Sequence, residues 1–249
     1  IHSTKSDAGL DFDQLSARYS QAGYDFLFRT DHWVCSNVAK EGGSDLLAWF
    51  DGVELDGFSD TGVYYHIVCL GSFEPFERAK GLEASVRAAK KAGGVVILAH
   101  PHWTGNSYDD ALSLPFDGVE VLNYLCQMMN GKGWSGFLWD ALLETKPELL
   151  GIASDDAHIN EHDPGWNGGW IKVNARECTQ PAILEAIRAG EFYGSNGPDF
   201  LNISYDGNKV SIDTSPVKYL RLVGPRYKVH KVVAEEGKLL TQAEFEIPA

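Results

Sequence analysis

The chain predicts an α/β fold whose parallel strands close into a barrel, on three observations. Short apolar runs alternate with amphipathic helical stretches through residue 198, the pattern of strand–helix units packed in layers. Val95-Val96-Ile97-Leu98-Ala99 is continuously apolar, which suits a parallel strand covered on both faces. Histidines and carboxylates recur where strands hand over to loops, at His2, Asp7, His32, Glu54, His66, His100, Asp156 and His158. A closed ring gathers the ends of several strands around one mouth, and an open sheet spreads them.

The elements follow in order. Asp11 to Ala22 reads as a helix, with Asp11 and Gln14 as a capping box and Phe12, Leu15, Tyr19 and Ala22 on one face. Gly23 ends it, and Tyr24 to Phe28 enters a strand that stops at Thr30-Asp31-His32. A second strand reads Gly52 to Leu55, and a third, Val63 to Leu70, carries His66 in its interior. Phe76 to Ala92 predicts a helix stopped by Gly93 and Gly94, after which Val95 to Ala99 ends on His100-Pro101-His102. Gly118 to Leu122 and Leu149 to Ala153 repeat the theme, the latter reaching Ser154-Asp155-Asp156-Ala157-His158. Thr179 caps a helix from Gln180 to Ala189, with Pro181 in its first turn and Gly190 past its end. From residue 200 the character changes to short strand-like runs, Phe200 to Tyr205, Lys209 to Asp213, Tyr219 to Val223 and Lys228 to Val233. The expected domains are therefore a barrel over 1–199 and a small β-rich appendage over 200–249.

Composition narrows the function. With 44% hydrophobic and 22% charged residues, the 249-residue chain has the make-up of a globular protein. A net charge of −14 argues against a nucleic-acid surface, which needs clustered Lys and Arg. No apolar stretch reaches membrane-spanning length, and the N-terminus has no basic-then-apolar signal pattern. Cys35, Cys69, Cys126 and Cys178 are widely spaced, with no C-x-x-C pair, and read as buried thiols of a reducing compartment. The expected location is cytoplasmic. Imidazole and carboxylate side chains without thiolate are borderline-to-hard metal ligands, and eight at equivalent places point to a multinuclear metal site.

The order of these motifs resembles the polymerase-and-histidinol-phosphatase (PHP) family of metal-dependent hydrolases. His2-Ser3-Thr4-Lys5-Ser6-Asp7 is similar to the latter part of that family's H-x-H-[ST]-x-x-S-D-G opening, whose first histidine would precede Ile1. Thr30-Asp31-His32, then Gly52-Val53-Glu54 with His66 twelve residues after the glutamate, then Ala99-His100-Pro101 and Asp156-Ala157-His158 complete the set. Thr30-Asp31-His32-Trp33, the Asp155-Asp156 doublet and Phe192 to Pro198 look like a branch that includes aryl-carbamate hydrolases. The resemblance implies a distorted (β/α)7-type TIM-like barrel and three divalent ions of Mn, Fe or Zn. Glu54 would bridge two of them. His2 and Asp156 would complete the first, His66 and His100 the second, and Asp7, His32 and His158 the third. Three carboxylate ligands supply about −3 against about +6 from the ions, so the pocket would be locally cationic in an acidic protein.

The implied chemistry is attack by a hydroxide bridging two ions, with the metals also holding the substrate's oxygens. His102 and Asp155 are the candidates to protonate the leaving group; Asp31 and His162 read as neighbours of the ligands or surface groups. Trp33, Trp103, Trp166 and Trp170 either line an apolar mouth or pack loops onto the barrel. The expected substrate is a small phosphomonoester or nucleotide, with no nucleic-acid polymer and no membrane as partner. Only Lys5 and Arg29 lie beside the motifs as cations, which leaves a carboxylic or carbamic ester as an alternative. A degenerate, non-catalytic metal-binding domain is a second.

Overall fold

A computed structural model describes residues 1–163 and 165–247. They form a mixed α/β unit over Ile1–Gly194 and a smaller compact unit from Ser195 onward. The first unit opens with helix α1 (Phe12–Gln21), started by the expected capping box: the Asp11 carboxylate accepts from the Gln14 amide and the Gln14 side chain answers it. Strand β1 (Phe26–Phe28) pairs in parallel with β2 (Ala48–Phe50), the short α2 (Val38–Glu41) lying between them in sequence.

A five-stranded mixed sheet follows: β3 (Gly52–Phe58), β4 (Tyr64–Leu70), β5 (Val95–Leu98), β6 (Gly118–Asn123) and β7 (Leu150–Ser154), hydrogen-bonded in chain order. Here the all-parallel expectation is corrected. β4 runs antiparallel to both β3 and β5, so it alone is reversed, and β5–β6 and β6–β7 are the parallel pairs. The cause is the tight turn of residues 59–63, since a connection that short can make only a hairpin.

Helix α3 (Leu82–Lys91) is shorter than the Phe76–Ala92 expectation because Gly81 takes φ +88°, which no helix continues. After β5 come α4 (Pro101–Thr104) and α5 (Tyr108–Ser113), and after β6 come α6 (Tyr124–Asn130) and α7 (Gly136–Leu143). β8 (Trp170–Val173) pairs with β9 (Phe192–Ser195), flanking α8 (Gln180–Arg188). No helix among the described residues is long and apolar enough to cross a membrane.

The strands are covered on both faces, as the apolar run of β5 requires. Val96 and Leu98 join Val53, Leu55, Ile67 and Cys69 beneath Val86 and Ala89 of α3. Val95 and Ile97 point the other way, into a cluster with Phe50, Leu70, Ile152 and the Ile183, Leu184 and Ile187 face of α8. Phe26, Phe28, Val68, Ile171, Val173 and Phe192 pack on that second cluster. Burying a side chain such as Val or Ile contributes about 1.5–3 kcal/mol, so both clusters, with a third around Leu15, Tyr19 and Trp49, hold the unit together.

The smaller unit is all β. Strands β10 (Phe200–Tyr205), β11 (Lys209–Val217) and β14 (Leu240–Glu246) form one antiparallel sheet, and β12 (Tyr219–Val223) with β13 (Val229–Val233) form a hairpin. Ile212, Leu220, Ala243 and Phe245 make its own core.

Candidate metal centre

The candidate ligands converge because backbone pairing brings their loops together. His32, just past β1, bridges in parallel to Glu54 in β3. The His2 amide donates to the Ala157 carbonyl at 3.2 Å, and the Thr30 amide to the Ile1 carbonyl at 3.0 Å. His66 stands opposite Asp56 in the β3–β4 ladder, and its carbonyl accepts from the Ala99 amide. The reversed direction of β4 explains why this histidine is mid-strand in the sequence. The first half of an antiparallel strand lies beside the ends of its neighbours. Three residues beside or within the cluster, Trp33 (φ +56°), His100 (φ +27°) and Asp156 (φ +52°), hold left-handed backbone. Such strain clusters where a side chain must be aimed.

At the centre lies Glu54, fully buried. Its Oε2 is 3.0 Å from His2 Nε2; its Oε1 is 2.6 Å from His66 Nδ1 and 3.6 Å from His100 Nε2. His2 Nε2 is also 3.1 Å from Asp156 Oδ1, and His100 Nε2 is 3.7 Å from Asp156 Oδ2. On the other side of His2, Asp7 lies 3.3 Å from His158 Nε2 and 3.7 Å from His32 Nε2. All eight side chains named from the sequence therefore meet in one cluster.

Burial would push the Glu54 carboxyl up, but the surrounding His100, His2 and His66 imidazoles hold it well below the usual carboxylate range. Asp156 is held low in the same way against burial, chiefly by His2, and Asp7 chiefly by His158. Burial opposes a charge on His100, yet Glu54 and Asp156 raise it to about 9. The cluster thus pairs strongly acidic carboxylates with imidazoles that draw cationic charge.

The donor set fits divalent ions. Within it, donor atoms of His2, Glu54 and Asp156 lie within 4.8 Å of one another, as do those of His2, Asp7, His32 and His158. The first group has the residues expected for the first ion, and the second has those expected for the third with His2 added. The second expected ion site differs: His66 groups with Glu54 and His32, and His100 with Asp156 and Cys126. Outer partners also fit. His158 Nδ1 lies 2.8 Å from the Asp156 carbonyl, which only accepts, so Nδ1 carries a proton, and Nε2, 3.3 Å from Asp7, is the atom left for an ion. His32 Nδ1 is 3.1 Å from an Asp56 oxygen, an ion-pair approach without hydrogen-bond geometry, and its Nε2 is 3.7 Å from Asp7. Ligating histidines are oriented in this manner by carboxylates and carbonyls.

The two candidate proton donors separate. The Asp155 carboxylate accepts from Tyr19 Oη and from the amides of Asn167, Gly168 and Gly169, at 2.6 to 2.9 Å. Four donors fill its acceptor capacity, and it ties the 155–169 loop to α1. His102 is exposed, its Nδ1 3.1 Å from the Trp134 carbonyl, so its Nε2 is the acceptor atom. Asp31 accepts from Ser3 and Ser6, bracing the His2 turn, and the His162 amide donates to Asn160 in an exposed loop.

Of the four tryptophans, Trp103 meets the ligands, with ring centres 5.2 Å from His100 and 5.6 Å from His66. Trp166 packs on Tyr19, Trp170 on Tyr24, and Trp33 donates its indole N–H to the Asp56 carbonyl. The two cations beside the motifs are engaged: Lys5 and Arg29 both pair with Glu41, and Arg29 is buried under Phe12.

Residues that motif order alone missed stand beneath the ligands. Glu120 accepts from the His100 amide at 2.7 Å, Ser154 Oγ at 2.5 Å and Asn123 Nδ2 at 2.9 Å. Asn123 Nδ2 also reaches Asp156 Oδ2 at 3.1 Å. The available signal was a carboxylate inside the apolar run Val119-Glu120-Val121-Leu122. Tyr64 Oη, 3.0 Å from His66 Nε2, fixes the far side of that ring.

No protein-family model matches the chain, and no curated protein matches it. Among solved structures, the chain is similar to a protein of Bifidobacterium adolescentis named a "putative metal-dependent phosphoesterase". The two share 15% identity over 67% of this chain and 88% of that one, with a TM-score of 0.49.

Proposed function

We propose that this chain is a metal-dependent hydrolase of the PHP type, acting on a small phosphomonoester or nucleotide. The observation that carries the reading is the buried Glu54, whose two oxygens face three imidazoles within 3.6 Å while Asp156 and Asp7 extend the cluster on either side. His2, Glu54 and Asp156 would hold one ion, His66 and His100 with Glu54 a second, and Asp7, His32 and His158 a third. Mn, Fe and Zn all suit such donors. Divalent ions there would acidify water and draw off charge that develops on the substrate's oxygens.

The chain's own residues supply the rest. Asp56, the Asp156 carbonyl and Tyr64 keep the imidazoles turned into the cluster. Trp103 closes one side against bulk water and offers an apolar face to the leaving group. His102, its Nδ1 proton held on the Trp134 carbonyl, would deliver a proton from Nε2 to the departing oxygen when doubly protonated. A distorted barrel is supported by two facts. One apolar cluster collects residues from β1, β2, β4, β5, β7, β8 and β9. The amide bonds of His2 and Thr30 and the His32–Glu54 bridge continue the sheet beyond its ladder.

A second reading, hydrolysis of a carboxylic or carbamic ester at the same site, is favoured by the engagement of Lys5 and Arg29 with Glu41, which leaves neither to meet a phosphate. The test is a panel with the Mn-loaded protein: aryl phosphates and nucleotides beside aryl carboxylic and carbamic esters, with Asp156→Ala as control. Turnover of phosphates that needs both metal and Asp156 is the expected result. Turnover confined to carboxylic or carbamic esters replaces it with the second reading.

A further inference from the structure

Cys126 occupies a place that its role as a buried thiol does not explain. Cys69, a thiol of ordinary burial, sits among Val53, Leu55 and Ile67 in the apolar core. Cys126 is equally hidden, 3% exposed, yet its sulfur groups with a nitrogen of His100 and an oxygen of Asp156, all within 4.8 Å. The backbone places it there by design of the β6–α6 junction. Asn123 caps α6, its Oδ1 accepting the Cys126 amide at 2.9 Å, and its Nδ2 donates to Asp156 Oδ2 at 3.1 Å. One side chain thereby fixes both the turn that carries the thiol and the carboxylate that faces it.

His100 supplies an independent observation. It is 2% exposed, and its Nδ1 has no hydrogen-bond partner among the described residues. Its Nε2 points at Glu54 and Asp156 from 3.6 and 3.7 Å, too far for a hydrogen bond. Donors that share one ion, each about 2.0–2.3 Å from it, stand about 3 to 4 Å apart. A buried imidazole aimed at carboxylates across such a gap, with a sulfur in the same group, has the layout of a ligand set.

We propose that Cys126 Sγ is a further ligand, beside His100, to the second ion of the centre, where Asp156 of the first ion also lies within reach; the inference rests on the metal-hydrolase reading above. On binding, a sulfur–metal bond forms, the S–H bond breaks and its proton passes to water. The consequence is chemical selection. Thiolate favours Zn, Fe(II) or Co(II) over Mg and Mn, so this position takes a softer ion than its all-imidazole-and-carboxylate neighbours.

Co(II) titration of the full chain tests this, in the wild type and in Cys126→Ser. The wild type should develop visible ligand-field bands together with a near-ultraviolet sulfur-to-cobalt band. Cys126→Ser should keep the visible bands and lose the near-ultraviolet one. Visible bands without a near-ultraviolet band in the wild type, or a near-ultraviolet band that survives the substitution, overturn the thiolate ligand and leave the hydrolase reading standing. Absence of any cobalt spectrum overturns both. If the variant does not fold, zinc-edge X-ray absorption of the wild type decides: a sulfur neighbour at about 2.3 Å supports the ligand, and a nitrogen- and oxygen-only shell removes it.

Discussion

Asp155 and Asp156 are adjacent and chemically identical, and their surroundings give them opposite tasks. Asp156, with φ +52°, turns its carboxylate onto His2 and His100, while Asp155 turns away to collect four donors from α1 and the 167–169 loop. Replacing Asp155 by Ala leaves the buried Gly169 amide, the Tyr19 hydroxyl and two part-buried amides without their acceptor. The expected cost is about 2–4 kcal/mol, read as a lower urea midpoint. A variant as stable as the wild type but without turnover would return Asp155 to the role of proton donor. Asp56 acts differently, through its 3.1 Å ion-pair approach to His32 Nδ1. Asp56→Ala should weaken one ion by about 10–100-fold in a competing-chelator titration while leaving the others in place. Equal weakening of every ion would count against an oriented His32. Residue types and order were enough to name all eight side chains of the cluster. The bracing task of Asp155 was beyond them, because its four donors come from Tyr19 and from residues 167–169, far from it in sequence.

At the scale of elements, legibility followed period and punctuation. α1 and α8 were readable because each combines an apolar stripe with a start signal and a glycine stop, and β5 because an uninterrupted apolar run fits few other structures. The helices α4 to α7 have between four and eight residues each, too few turns for a period to emerge. The antiparallel course of β4 was hidden for another reason: direction is a property of the turn at 59–63, not of the strand's own residues. α6 matters most of these, since it carries Cys126 and is capped by Asn123. Its position depends on Gly133, where a Cβ would fall 2.2 Å from the Asn123 carbonyl oxygen and 2.6 Å from the Gln127 amide nitrogen. Both are backbone atoms, so the helix itself must shift. Gly133→Ala should therefore destabilise the protein by about 1–3 kcal/mol, seen in thermal unfolding. An unchanged melting temperature would mean that the β6–α6 junction is looser than its packing implies.

The whole molecule carries a net charge of −14, yet it gathers a largely buried set of carboxylates and imidazoles from the N-terminal segment, β3, β4 and the loops after β1, β5 and β7. Without ions, the three carboxylates are balanced only by imidazoles that burial resists charging. With ions, the same side chains tie those loops to one another, and any ligand that prefers the folded state stabilises it by mass action. At a free-ion concentration of about 100 Kd, one site contributes about 2.7 kcal/mol. Removing the ions with a chelator should thus lower the melting temperature of the first unit by several degrees or more, and restoring Zn or Mn should recover it. The unit from Ser195 onward has its own core of Ile212, Leu220, Ala243 and Phe245 and holds none of the eight clustered side chains. Its unfolding, followed by amide exchange in β11 and β14, should be indifferent to the chelator. Equal loss of protection in both units would show that they unfold as one cooperative body, and a first unit equally stable with and without ions would separate the cluster from metal altogether.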